Sequence, residues 1–319
     1  MHALVTGAGG FAGQWLCREL VRHGWSVTGT SLGGDPGPGI LSPEDHALVT
    51  WRREDLRVDG AAAAALDASA AEAVFHLAGV SFVPSALDDP VGALDANVGA
   101  GVRLLVEVRR RRSAGTLDPV VLLVGSAEQY GRHAADAMPL HEGGECRPRT
   151  FYAATKMAQE VFGLEAFRSD GVHVVCTRSF NHSGRGQAAQ FLLPALVGRA
   201  LSARAAGERR VAIGNADSVR DFLHVEDVAR AYRLLAESAR DGEVYNVCSG
   251  AGATVADVAG EIFRAIGLDA VLEADAGLQR TVDVPFLVGS NAKLRADTGW
   301  APARTRSDII SDLIHAASH

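Results

Sequence analysis

The sequence predicts an α/β protein: a doubly wound parallel sheet with helices on both faces and a smaller C-terminal lobe. Three observations carry this. Short apolar runs recur at residues 3–6, 26–30, 47–50, 73–77, 120–124 and 173–177, the pattern of strands buried on both faces. Longer amphipathic stretches separate them, as crossover helices require. After Asn181 the alternation weakens, which assigns the last third to a lobe over the carboxyl edge of the sheet.

The first run leads directly into Gly7-x-x-Gly10-x-x-Gly13, and a helix follows near Gln14. Such glycines permit a tight turn, close backbone approach to a pyrophosphate, and close packing of helix on strand. The helix N-terminus adds unpaired N–H groups and the positive end of a dipole. With Phe11 and Ala12 inside it, this turn predicts a dinucleotide site, because strand, turn and helix occur in the required order. An NAD binder carries an acidic residue about 20 positions on, holding the ribose hydroxyls. Here that place falls on Thr30 or Ser31, neither of which repels a 2′-phosphate, so the cofactor is NADP or NAD with a lean toward NADP. The missing cation would come from Arg52 or Arg53 on the next strand.

Residues 33–39 are dominated by glycine and proline and predict an exposed loop. Asp55 and Leu56, after the third run, are placed to reach the adenine. The alanine tract at 61–65 continues through Leu66 as an ordinary crossover helix. Leu77, Ala78 and Gly79, after the fourth run, would lie along the cofactor, and Ser81 and Phe82 would border a substrate pocket. Between residues 91 and 112, Val91, Leu94, Val98, Val102, Leu105 and Val108 recur at helical spacing, ending in four arginines where cations favour a helix C-terminus. Thr254 and Asp257 form the capping signature of a late helix that turns Val255, Val258, Ile262 and Ile266 inward.

A second constellation is Ser126, Tyr152 and Lys156. Four helical residues separate Tyr152 from Lys156, so phenol and ammonium share a face. A cation near a phenol stabilises the phenolate, which brings proton exchange with an alcohol or ketone toward neutral pH. Ser126, at the end of the fifth strand, would hydrogen-bond the same oxygen. Lys156 is one of only two lysines in 319 residues.

With 38 acidic against 31 basic residues and a net charge of -7, the chain has no broad positive field for nucleic acid. Cys17, Cys146, Cys176 and Cys248 stand far apart with no metal-ligand spacing, which predicts a reduced, cytoplasmic protein without a metal. No apolar stretch reaches the roughly 20 residues of a membrane span.

Taken together, these residues resemble the extended short-chain dehydrogenase/reductase proteins of the nucleotide-sugar epimerase and dehydratase family. The resemblance adds Phe75-His76-Leu77-Ala78-Gly79, Asn97, Glu128-Gln129-Tyr130-Gly131, Arg178-Ser179-Phe180-Asn181-His182, Arg220-Asp221-Phe222 and Tyr245-Asn246-Val247. Within the family the chain looks most like the GDP-mannose branch, in which Phe180-Asn181-His182 and Gly214-Asn215 ahead of Arg220-Asp221-Phe222 occur together. The resemblance implies a Rossmann domain over residues 1–180 with 216–248, and a nucleotide-sugar-binding lobe over 181–215 with 249–319. The implied activity is NAD(P)H-dependent reduction of the C4 ketone of a GDP-linked 4-keto-6-deoxyhexose; the alternative is 4,6-dehydration or 4-epimerisation with a retained cofactor. Ser126, Glu128, Tyr152 and Lys156 would then be catalytic. Arg220 and Arg280 would grip the diphosphate, while Ser81, Asn181 and His182 would face the substrate. Asn97 carries either a structural hydrogen bond or a catalytic part. Arg185 replaces the proline of a Gly-Pro-Gly-Gln turn before Gln187. A homodimer, packed through the helix from Val91 and the helix bearing Tyr152, is also implied.

Overall fold

The computed structural model describes residues 1–279 and 284–318. In chain order its strands are β1 (His2–Thr6), β2 (Ser26–Ser31), β3 (Val49–Arg53), β4 (Ala73–His76), β5 (Val120–Ser126), β6 (Val174–Ser179), β7 (Asn181–Ser183), β8 (Arg210–Ile213), β9 (Val219–His224), β10 (Glu243–Val247), β11 (Gly252–Thr254), β12 (Val271–Ala274) and β13 (Phe286–Leu287). The helices are α1 (Phe11–Arg22), α2 (Pro43–Ala47), α3 (Ala61–Ser69), α4 (Val83–Asp88), α5 (Pro90–Leu94), α6 (Ala100–Ser113), α7 (Phe151–Asp170), α8 (Leu192–Ala206), α9 (Val225–Ser238), α10 (Val255–Ile266), α11 (Ala292–Thr298) and α12 (Arg306–Ala317). No helix among the described residues is long and apolar enough to cross a membrane.

Seven strands form the central sheet in the order β10-β6-β5-β4-β1-β2-β3, every neighbouring pair parallel. All six apolar runs enter it, and β10 is a seventh strand. Its two faces are buried by different side chains. Trp15, Leu16 and Leu20 of α1 join Tyr232 and Leu235 of α9 on one core. Leu66, Leu104, Val108 and Ala166, from α3, α6 and α7, build the other. Chain order reverses between β1 and β4, which opens a crevice at the carboxyl edge.

Three expectations need correction. The third strand begins at Val49 rather than residue 47, because Ser42 caps a short helix, accepting the Asp45 N–H at 3.1 Å, with Pro43 at its first position. The loop after β2 is not exposed throughout, since Gly34 within it and Ile40 and Leu41 beyond it are buried. Finally, residues 91–112 do not form one uninterrupted α-helix. A wider π-turn at Asp95–Gly99 breaks the stretch, and Val91 and Leu94 are 76% and 45% exposed, while Leu105 and Val108 are buried. The interruption places Asn97, fully buried, against the loop after β4: its Oδ1 accepts the Val80 N–H at 2.7 Å and its Nδ2 donates to Thr155 Oγ1 at 2.9 Å. Such bulges shift side chains out of helical register, often at functional sites.

The remaining elements form a second core around Leu196, Val258, Ile262 and Ile309, from α8, α10 and α12. Thr254 and Asp257 make the reciprocal cap of α10 as expected. Strand β9 pairs with β7, β11 and β13, so a small second sheet stands at the carboxyl edge of the first.

Candidate active site

The glycine turn leaves no room for side chains. A Cβ on Gly13 would lie 2.2 Å from the Gly7 carbonyl oxygen and 2.8 Å from Ala8 Cα, and Gly7 holds φ +70° with the Ala78 backbone 2.8 Å from its Cβ position. No side chain caps α1, whose N-cap is Gly10. Its first N–H groups therefore face a cavity of about 740 Å³ along the carboxyl edge. A cradle of bare backbone donors at a helix N-terminus fits a pyrophosphate. The residues present fit a nicotinamide dinucleotide.

The cavity extends both ways from this turn. Toward β2 and β3 it is bordered by Ser31, Asp55 and Leu56; toward β4, β5 and β6 by Leu77, Ala78, Gly79, Ser81, Ser126 and Glu128. Tyr152, Lys156, Asn181 and His182 complete that second arm, and Gly10, Phe11 and Ala12 line its centre. Ser31 is the register partner of Arg53. The two neighbouring arginines are committed, Arg52 to Glu54 at 3.1 Å and Arg57 to Asp55 at 2.8 Å, whereas the Arg53 side chain has no ion pair among the described residues.

Thr150 caps α7 through the Ala153 N–H at 3.1 Å, which sets Tyr152 in the first turn and Lys156 one turn on. Ser126 ends β5, and its position is fixed twice. Its hydroxyl accepts the Glu128 N–H at 3.2 Å, and its N–H donates to Gln129 Oε1 at 2.9 Å. Gln129 is in turn held by Glu160, the buried partner of Arg178. Tyr152 and Ser126 line the same stretch of the cavity wall, close enough for the Ser126 side chain to act on the phenol.

The electrostatics reverse one expectation. Burial pushes the Tyr152 phenol up to about 12; the Ser126 side chain pulls it back and the Glu128 charge pushes it further up. Lys156 is itself drawn down to about 8 by burial, and its Nζ donates to Val124 O at 2.9 Å and Gln159 Oε1 at 3.1 Å. Desolvation is the largest of these effects, so the resting phenol is a protonated donor.

Asn181 Oδ1 is buried at the cavity wall with no hydrogen-bond partner among the described residues. His182 both lines the cavity and bonds backbone: its Nδ1 meets Phe180 O at 2.9 Å and its ring stacks on Phe11 at 6.2 Å. Burial lowers its pKa and keeps the imidazole neutral. Gln187 lines the cavity too, on a turn pinned by Trp15 Nε1 donating to Arg185 O at 3.0 Å. Arg220 is not brought to the cavity lining. It is 6% exposed in mid-strand beside Leu287, with Nη1 donating to Val219 O at 3.0 Å. Arg280 lies outside the described residues. Sequence reasoning missed Tyr232 and Phe191, which reach the cavity from α9 and from the N-cap of α8; neither sits in a recognisable spacing.

The pattern of the family described as NAD dependent epimerase/dehydratase matches residues 3–248. GDP-6-deoxy-D-mannose reductase of Pseudomonas aeruginosa is 33% identical over 245 residues, 76% of this chain and 79% of the relative. A dTDP-glucose 4,6-dehydratase of Streptomyces antibioticus is 29% identical over 329 residues, 98% of this chain and 91% of the relative. Among solved structures, RMD from Pseudomonas aeruginosa complexed with NADPH superposes with a TM-score of 0.83 at 28% identity, covering 99% of both chains. The glycine cradle, the paired phenol and ammonium, and a match running through β10 have one common reading: the chain belongs to the NAD dependent epimerase/dehydratase family.

Proposed function

We propose that the protein reduces the C4 ketone of a GDP-linked 4-keto-6-deoxyhexose with NADPH or NADH. The observation that carries this is the placement of Tyr152, Ser126 and Lys156 together at the wall of a cavity whose other arm begins at the glycine cradle. The cofactor supplies the hydride when bound. Tyr152, protonated at neutral pH, gives its proton to the C4 oxygen as that oxygen takes on negative charge, and Ser126 donates a hydrogen bond to the same atom. Lys156 has three donors and spends two on Val124 and Gln159, which leaves one for a ribose hydroxyl. Residues 1–180 with 216–248 would hold the cofactor, and 181–215 with 249–319 the nucleotide sugar. Purified protein given GDP-4-keto-6-deoxymannose should consume NADPH absorbance; no consumption with either reduced cofactor overturns the reading.

One observation favours a second reading. Glu128 lines the cavity and its charge acts on Tyr152, which suits an acid–base role in elimination. A 4,6-dehydratase or 4-epimerase with retained cofactor would convert an intact nucleotide sugar without net consumption of NAD(P)H.

The cofactor reading extends to a preference for NADP. Ser31, whose hydroxyl donates to Gly34 O at 2.6 Å, stands where a carboxylate would repel a 2′-phosphate, and its register partner Arg53, just outside the cavity lining, has a long side chain without an ion pair among the described residues. Arg53→Ala should lower kcat/KM for NADPH about 10- to 100-fold, the value of a hydrogen bond to a charged group, and leave NADH unchanged. Steady-state kinetics with both cofactors decide this; equal effects on both would remove Arg53 from the site.

A homodimer and a cytoplasmic setting complete the proposal. Val91, Val106, Val161 and Phe162 are exposed at 76%, 55%, 53% and 44% on α5, α6 and α7. Apolar side chains exposed on adjacent helices mark an interaction surface. Light scattering at micromolar concentration should give twice the chain mass, and Val161→Asp should shift it toward the monomer. All four cysteines are free, as in a reducing compartment.

A further inference from the structure

The cavity contains a second phenol that the mechanism above does not use. Tyr232, on α9, is 1% exposed, yet it borders the cavity. Its hydroxyl lies 2.7 Å from Ser179 Oγ at the end of β6. Ser179 is the register partner of Ser126 at the end of β5. Two tyrosine–serine couples therefore stand side by side on adjacent strand ends. Tyr152 reaches Ser126 from the helix layer on one face of the sheet, and Tyr232 reaches Ser179 from the layer on the other. The phenols are close enough that charge on Tyr152 raises the pKa of Tyr232. Burial raises it first, so Tyr232 also stays protonated.

Strand order says what lies there. The glycine cradle follows β1, and the cavity passes from it in two directions. Toward β2 and β3 lie Ser31 and Asp55, the adenosine end. Toward β4, β5 and β6 lie Gly79, Ser126 and Ser179, so the nicotinamide end falls at the β5–β6 strand ends. A carboxamide presents one acceptor and two donors. Thr177 Oγ1 joins the pair, 3.4 Å from Ser179 Oγ, and three hydroxyls linked by two bonds keep one free proton and spare lone pairs, which answers both.

We propose that Tyr232 and Ser179 together hold the carboxamide of the nicotinamide, fixing the ring that faces the Tyr152–Ser126 couple. The inference rests on the family's dinucleotide and not on which sugar is reduced. Its test uses no sugar, so its failure and that of the reductase reading are separate. Dissociation constants are measured by calorimetry for NADPH and for 2′-phospho-ADP-ribose, which lacks only the nicotinamide. Tyr232→Phe, which keeps the buried ring, and Ser179→Ala should each weaken NADPH about five- to tenfold, the value of one hydrogen bond. Both should leave 2′-phospho-ADP-ribose affinity at the wild-type value, which also reports an intact fold. Unchanged NADPH affinity in both variants, or an equal loss for the two ligands, would overturn the assignment.

Discussion

Tyr152→Phe should lower kcat for keto-sugar reduction by about 10² to 10⁴, the usual contribution of a positioned general acid, while NADPH still binds. The variant keeps the ring that fills the wall of the cavity and removes only the proton donor. The phenol lies near 12, raised by burial, which suits the reductive direction: the group must carry a proton at neutral pH to deliver it. Its own ionisation therefore leaves no mark near neutrality. Lys156 supplies the titration in that range. Burial lowers its pKa to about 8, so the ammonium is intact below that value and lost above it. The rate kcat/KM should fall as pH rises through about 8, and Lys156→Met should abolish that limb along with most of the rate. A Tyr152→Phe enzyme within tenfold of wild type would transfer the acid role to another group.

Glu160→Ala should destabilise the protein by about 3–5 kcal/mol, the cost of leaving a buried charge without its partner. The two side chains of this pair are only 9% and 7% exposed. Arg178 Nε and Nη2 donate to the carboxylate at 2.9 and 2.7 Å, and Gln129 Nε2 adds a third bond at 2.8 Å. Removing Glu160 strands both a guanidinium and an amide. The loss also reaches the site, since Gln129 receives the Ser126 N–H. Urea denaturation measures the effect. Replacing Glu160 and Arg178 together by methionine should recover most of it, because an apolar pair of similar volume needs no desolvation. A single-variant loss below about 1 kcal/mol would mean that water reaches the pair.

Much of the site was legible because its signals are local. Gly7, Gly10 and Gly13 answer steric demands within one strand–turn–helix unit, and Tyr152 and Lys156 are one helical turn apart, so spacing alone places them. Ser126 and Asn181 follow strands whose apolar runs are visible in sequence. Arg220 shows the limit of that method: the resemblance implied a phosphate contact, whereas Arg220 stands outside the residues lining the cavity, with Nη1 donating to Val219 O at 3.0 Å.

By itself, then, the sequence determined the sheet of crossovers, the cofactor cradle and the phenol–ammonium pair, because periodicity and glycine sterics act over a few neighbouring residues. Only the tertiary structure decided that Tyr152 rests protonated, that Tyr232 joins the same cavity 80 residues away in sequence, and that Val91 faces outward. Burial sums contributions from helices and strands remote along the chain, and desolvation, which sets both pKa and exposure, follows from that sum.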